Sequence, residues 1–142
     1  MIRTFEIAWP DLAVSIGCQL FDDENPELCE TFWQGLPFTT MFTASMSAGE
    51  IFKVPLPIPL PPVETGKMVP VVEQPPGTII GMVGVGSALF VTYGRVVEPW
   101  RFPRIGKVLD DDIDALRKIA VRLRDAYFFT KKTCFAELKA KE

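Results

Sequence analysis

The chain has 142 residues, 48% of them hydrophobic, and a formal net charge of −3. That length suits one domain, residues 1–142, able to bury roughly 70% of its unfolded surface, and the charge balance offers no basic field for nucleic acid. Histidine is absent, which removes the commonest metal ligand, the commonest general base and the usual pH switch together.

In chain order, Phe5, Ile7 and Trp9 share one parity. Leu12, Val14, Ile16, Cys18 and Leu20 alternate with smaller or polar partners. Two strands joined at Trp9-Pro10-Asp11 are therefore predicted as an opening hairpin. A helix follows over 26–35, with Asn25 as N-cap, Pro26 at the first helical position and Glu27 and Glu30 near the positive end of the dipole. Leu28, Phe32 and Leu36 give it an apolar spacing, and Gly35 and Pro37 end it. The acidic run Asp22 to Glu24 reads as a solvated turn.

From Phe38 the period returns to two through Thr40, Phe42, Ala44 and Met46, and "EIFKVPL" resumes an extended run after Gly49. Five of the thirteen prolines lie between Pro55 and Pro62, a density that excludes helix and favours extended polyproline conformation, read as a rigid surface loop within the domain rather than an SH3-type ligand. "KMVPVVEQ" is a further strand in which Pro70 marks an edge or a bulge. Two strands cross the glycine-rich stretch "PPGTIIGMVGVGSALFVTYGR", and residues 95–108 read as polar and irregular. A helix over 111–127 carries Ile113, Leu116, Ala120, Leu123 and Tyr127 on its apolar stripe, with Arg117, Lys118, Arg122 and Arg124 off it. The last ten residues read as a short helix or a frayed end. About eight short strands and two separated helices, without β-α alternation, predict a mainly β protein: a small closed barrel capped by helices.

The glycine-rich stretch binds no phosphate by pattern. No Lys-Ser or Lys-Thr pair follows a glycine, and Gly81-x-x-Gly84-x-Gly86 leads into strand rather than helix. Gly84 and Gly86 fit a strand-to-strand turn needing positive φ, and Gly81 a bulge or close backbone approach. The three cysteines, Cys18, Cys29 and Cys134, are odd in number and widely spaced, which fits buried free thiols rather than disulfides or zinc. No metal and no cofactor are expected. The N-terminus lacks a basic region followed by an apolar run, and charges interrupt every long apolar stretch, so a soluble, cytoplasmic protein without membrane contact is expected.

Several stretches resemble bacterial cyclophilin-like proteins. "PPGTIIGMVGVGSALFVTYGR" looks like their "PGD-I-x-x-x-P-G-x-x-L-x-I-x-x-G" segment, and "FTASMSAGEIFKVPL" like their "H-A-x-W-S-G-E-x-x-x-x-P" strand. "NPELCETFWQGLPF" is similar to their "A-P-x-x-x-x-x-F-x-x-x-L-P-F" helix, and "RIGKVLDDDIDALRKIA" to their Gly-x-[IV] segment and following helix. The matches run in order over most of the chain. The resemblance implies a cyclophilin-type barrel in a group that includes cucumopine synthase, an opine-forming enzyme. Two departures bear on function. Thr43, Ala44 and Ser45 stand around the family's histidine, and Met46 or Ser47 replaces its tryptophan. True prolyl isomerases use an arginine on this strand, whereas no arginine occurs between Arg3 and Arg95. Isomerase activity is therefore not expected.

Glu50, where the family keeps a glutamate, is the candidate proton carrier, because desolvation between apolar stretches would raise its pKa towards a working value. The alternative for Glu50 is a carboxylate binding backbone amides at a bulge. Tyr93 is the second catalytic candidate; Thr92 and Ser47 are candidate hydrogen-bonding groups for a small polar ligand. Arg95 and Arg104 could hold a substrate carboxylate bidentately, and Phe42 and Phe52 line a pocket or belong to the core. Two functions stand side by side. One is an enzyme acting on an amide-, imine- or ring-containing carboxylate; the other is a non-catalytic small-ligand or protein-binding module. An edge at Pro70 and the proline loop leave a homodimer open.

Overall fold

Alternation decides most of the strands. The computed structural model describes residues 2–45, 47–83 and 86–141. Among these the strands are β1 (Thr4–Trp9), β2 (Val14–Leu20), β3 (Phe38–Met41), β4 (Thr43–Ala44), β5 (Gly49–Pro55), β6 (Met68–Pro70), β7 (Thr78–Met82), β8 (Ala88–Val96), β9 (Arg101–Val108) and β10 (Phe135–Lys141). The helices are α1 (Pro26–Gln34) and α2 (Ile113–Asp125). All strand pairs are antiparallel, in the order β3-β10-β1-β2-β9-β7-β8-β5-β4, with β6 on the first half of β9. Residues 38–44 bring the two ends of this order together. Their first half pairs with β10 and their second half with β5, and the Thr40 hydroxyl donates to Pro55 O at 2.7 Å. The result is the expected mainly β architecture, a nearly closed barrel with two helices.

Two strands depart from expectation. Residues 101–108 form β9, not irregular chain, because Pro103, Ile105 and Val108 turn into the fold while Arg101 and Lys107 turn out. The prolines and charges hide that alternation in the sequence. The C-terminal segment forms β10 rather than a helix or a frayed end. Ala136 and Leu138 face the core and Phe135, Glu137 and Lys139 face out. Residues with good helix propensity are overridden here by pairing with β1 on one side and β3 on the other.

The helices match their predicted spans with two corrections. Asn25 does not cap α1 with its side chain; its Nδ2 donates to Arg104 O at 2.9 Å and ties α1 to β9. On α2 the buried residues are Leu116, Ile119, Ala120 and Leu123, whereas Tyr127 falls in a π-helical turn, Ala126–Thr130, and is exposed. Asp112 accepts the Gly17 N–H at 2.7 Å and ties the start of α2 to β2. The expected turn at Gly86 has φ +77°; Gly84 lies outside the described residues, as does Met46.

Both helices pack into the core that fills the barrel. It includes Phe5, Ile7, Trp9, Ile16, Phe32, Phe52, Val91, Tyr93 and Leu123. A smaller apolar cluster, Ala48, Ile51, Val71, Ile80, Phe90 and Val96, lies on the outer face of β5, β7 and β8, the faces being separated by the two-residue period. The proline-rich segment is an internal strap: Leu56 and Leu60 donate their N–H groups to Ser87 O and Oγ, and the Leu60 side chain is buried. Among the described residues no helix is long and apolar enough to cross a membrane, and no group of three potential metal ligands occurs.

Two predictions follow from this packing. A Cβ on Gly106 would lie 2.1 Å from the Gln19 carbonyl oxygen, which belongs to the neighbouring strand and cannot move aside. Gly106→Ala should destabilise by about 3 kcal/mol and lower Tm by about 10 °C. Gly66→Ala, where a Cβ meets nothing within 4 Å, should stay within about 0.5 kcal/mol; thermal melts of the two variants check both. The second prediction concerns alkaline pH. Burial pushes the Cys29 thiol up to about 12 and raises Cys18 and Cys134 as well. The unfolded thiols ionise near 8.5, so above that pH the native state holds more protons than the unfolded state. Their contribution is complete below about pH 8.5 and is lost as pH rises towards about 12. Urea unfolding should show lower stability at pH 10 than at pH 8.

Candidate functional site

The pairing of β5 with β8 is regular from Ile51–Thr92 to Pro55–Ala88 and breaks between Gly49 and Ile51. Gly49 opposes Val96 while Ile51 opposes Thr92, so β8 carries extra residues, Tyr93 to Arg95, against Glu50. Such a bulge leaves backbone groups without ladder partners. Glu50 supplies one: its Oε1 accepts the Arg95 N–H at 3.0 Å. Gly94 makes room for the carboxylate, since a Cβ there would sit 2.4 Å from Glu50 Oε1. Glu50 is exposed. The geometry therefore gives Glu50 the backbone-binding arrangement at a bulge, with its second oxygen making no hydrogen bond to the described residues.

Tyr93, next to Gly94 on β8, turns into the core. Its ring is buried and stacks on Phe52, centroids 6.1 Å apart. Phe52 in turn meets Phe42 at 4.6 Å and Trp9 at 6.2 Å. Phe42 and Phe52 are thus core residues of this aromatic stack. The Tyr93 hydroxyl makes no hydrogen bond to the described residues. Its pKa is raised chiefly by burial; Arg124, arriving from α2, lowers it and Glu50 raises it further. Arg124 was not legible as a site residue, because helical spacing alone placed it off the apolar stripe.

The other candidates separate. Thr92 is fully buried and donates to Pro75 O at 3.2 Å, so its hydroxyl supports the 75–78 turn and is closed to a ligand. Arg104 lies three strands from β5 in the sheet order. It grips Glu24 through Nε at 3.0 Å and Nη2 at 2.5 Å, lies 4.9 Å over Phe21, and has its pKa raised mainly by the Glu24 bond. Its bidentate partner is this internal carboxylate. Ser47 and Arg95 are exposed, and the Arg95 guanidinium forms no ion pair among the described residues.

A concave site lies on the outer face of the same strands. A half-open cleft of about 230 Å³ is lined by Thr43, Ala44, Ser45, Ile51, Phe52, Lys53, Phe90 and Trp100. Trp100 stacks on Phe90 at 5.8 Å with planes 26° apart, and Phe102 packs on both rings. The Lys53 ammonium sits 6.0 Å from the Phe90 centroid and forms no ion pair among the described residues. Ser45 Oγ accepts the Ala48 N–H at 2.9 Å, which leaves its proton free to donate. An aromatic wall, one cation and hydroxyls at the rim suit a planar anionic ligand. Sequence reasoning missed Lys53 and Trp100. The available signal was a lysine between two buried residues of a strand, on the parity of Ile51.

No family model and no curated relative matches the chain. Among solved structures it superposes on McbB in complex with tryptophan with a TM-score of 0.84 at 24% identity, over 96% of this chain and 44% of that chain. It also superposes on the solution structure of the hypothetical protein AF2241 from Archaeoglobus fulgidus with a TM-score of 0.64 at 11% identity, over 98% and 95% of the two chains. The chain thus spans less than half the length of the McbB chain. At these identities the likeness is one of fold.

The bulge geometry sets the outcome of Glu50→Gln. The amide keeps the acceptor but removes the charge from the bond to the Arg95 N–H. Because the group is exposed, the loss should be about 1 kcal/mol or less, and denaturant unfolding of the variant measures it.

Proposed function

We propose that this protein is a cyclophilin-like barrel without prolyl isomerase machinery that binds a small ring-containing carboxylate in the cleft between β4, β5 and Trp100. The observation that carries this reading is the Lys53 ammonium, without an ion partner among the described residues, set against the Phe90–Trp100 stack. A ring sliding against Trp100 would bury apolar surface, while its carboxylate would meet Lys53 and the Ser45 hydroxyl. The cleft volume, about 230 Å³, lies below the roughly 300–1,000 Å³ of sites for larger ligands, which limits the ligand to one compact ring system. Tryptophan, held by McbB, belongs to that class and supports the choice of ligand. The shared fold alone assigns no function.

An enzymatic reading is favoured by one separate observation: the Tyr93 hydroxyl, without a hydrogen-bond partner among the described residues, lies within the electrostatic reach of both Glu50 and Arg124. In that reading Glu50 moves a proton on an amide-, imine- or ring-containing substrate whose carboxylate is held by Arg95 or Arg124. Binding without catalysis fits the geometry better, because Glu50 is exposed and engaged with the bulge backbone.

Calorimetric titration with tryptophan and with indole separates these parts. Tryptophan should bind saturably, and Lys53→Met should weaken it at least tenfold, about 1.4 kcal/mol. Indole, which lacks the carboxylate, should bind the two proteins alike. Equal affinity of tryptophan for both would remove the cleft from the proposal. If Glu50 carries a proton, Glu50→Gln should cut turnover of a converted substrate by roughly 10²-fold with tryptophan affinity unchanged.

A further inference from the structure

A second pocket shares no lining residue with the cleft. It lies beneath the connection from α2 to β10 and is formed by Met41, Phe42, Leu123, Tyr127, Lys131, Lys132, Thr133 and Cys134, with a volume of about 160 Å³. Its floor is apolar: Phe42, Leu123 and Cys134 are buried. Its walls include Met41, whose flexible thioether adapts to an irregular guest, and Tyr127. Its rim is cationic. Neither Lys131 nor Lys132 forms an ion pair among the described residues, although the chain carries 18 acidic residues against 15 basic ones, and no carboxylate lines the pocket.

We infer that this pocket binds a small amphiphilic anion, a carboxylate on a short unbranched apolar tail, with the tail against Met41, Phe42 and Tyr127 and the headgroup between Lys131 and Lys132. Removing the tail from water supplies the affinity, about fourfold per buried methylene. The two ammoniums choose a charged head over a neutral one. The lysines are presented by the π-helical turn Ala126–Thr130, a geometry frequent at functional sites. Lys131 follows it in the left-handed region with φ +58° and donates its N–H to Ala126 O. The field at the floor is mixed. Lys132 and Arg122 lower the Cys134 pKa and Asp11 raises it, while burial dominates and leaves the thiol neutral.

Met41 and Tyr127 at the pocket, with Phe129 on the same π-helical turn as Tyr127 and Phe135 on β10, are exposed apolar residues that could also meet a bilayer. The concavity favours a single guest, because a hollow of about 160 Å³ takes one tail whereas a flat lipid surface would span it.

Octanoate, 1-octanol and phosphatidylglycerol vesicles test the inference. In nuclear magnetic resonance titrations octanoate should bind saturably and shift the amides of Leu123 and 131–134. The double variant Lys131→Gln/Lys132→Gln, in which both changed residues are exposed, should keep the wild-type Tm and bind octanoate at least tenfold more weakly. Octanol should bind wild type and double variant alike. Lys53→Met should leave octanoate binding intact, so failure of this site and failure of the cleft are distinguishable. Shifts that map elsewhere, or equal octanoate affinity in the double variant, would overturn the inference. Vesicle co-sedimentation without octanoate binding, abolished by Phe129→Ser, would also overturn it in favour of a lipid-facing surface.

Discussion

The antiparallel pairing of β5 with β8 sets Phe52 opposite Val91 and Lys53 opposite Phe90, and both the core and the candidate sites are built from that register. On the inner face Phe52 and Tyr93 stack and draw in Phe42 and Trp9. On the outer face Phe90 collects Trp100 and Phe102 and stands beneath Lys53. A slip of one residue would exchange the faces. The lysine would then enter a core of aromatic rings without a partner, and Phe52 would face water. The cost of burying an unpaired charge is what makes the register unique.

Where that pairing ends, the molecule uses a bulge rather than another ladder step. Glu50 answers the freed Arg95 N–H, and the missing Cβ of Gly94 leaves the space for its carboxylate. The same irregularity includes Tyr93, which lies within the influence of Arg124 on α2. The position of the Glu50 carboxylate is therefore set by the bulge it completes. Glu50 is exposed and one of its oxygens is already engaged as a backbone acceptor.

Ion pairs elsewhere act as fasteners between distant segments. Arg3 joins Asp22 and Glu30 and lies 5.0 Å over Trp33, linking β1 to the turn before α1 and to α1 itself. Arg104 does the same between β9 and Glu24. Both guanidiniums are partly covered and each contacts an aromatic face, a setting in which arginine holds its geometry better than lysine. The acidic run at Asp22 to Glu24 thus serves these two arginines as well as the turn.

The sequence by itself determined the fold class, the opening hairpin, both helices, the non-helical character of the proline segment and the inner faces of the strands it identified. These follow from local period and from the fixed backbone demands of proline and glycine. It also narrowed the chemistry by lacking histidine. The surface loop expected at the prolines proved instead to be a strap with Leu60 buried. Only the tertiary structure decided that 101–108 and 135–141 are strands, because their partners β2, β7, β1 and β3 lie far away in the chain and override local propensity. Only it turned Arg104 towards Glu24 and Thr92 towards Pro75, away from Glu50. Only it joined Lys53 to Trp100, and Lys131 and Lys132 to Phe42 and Leu123. Each of these pockets gathers side chains from separate elements, and no local pattern records which faces will meet.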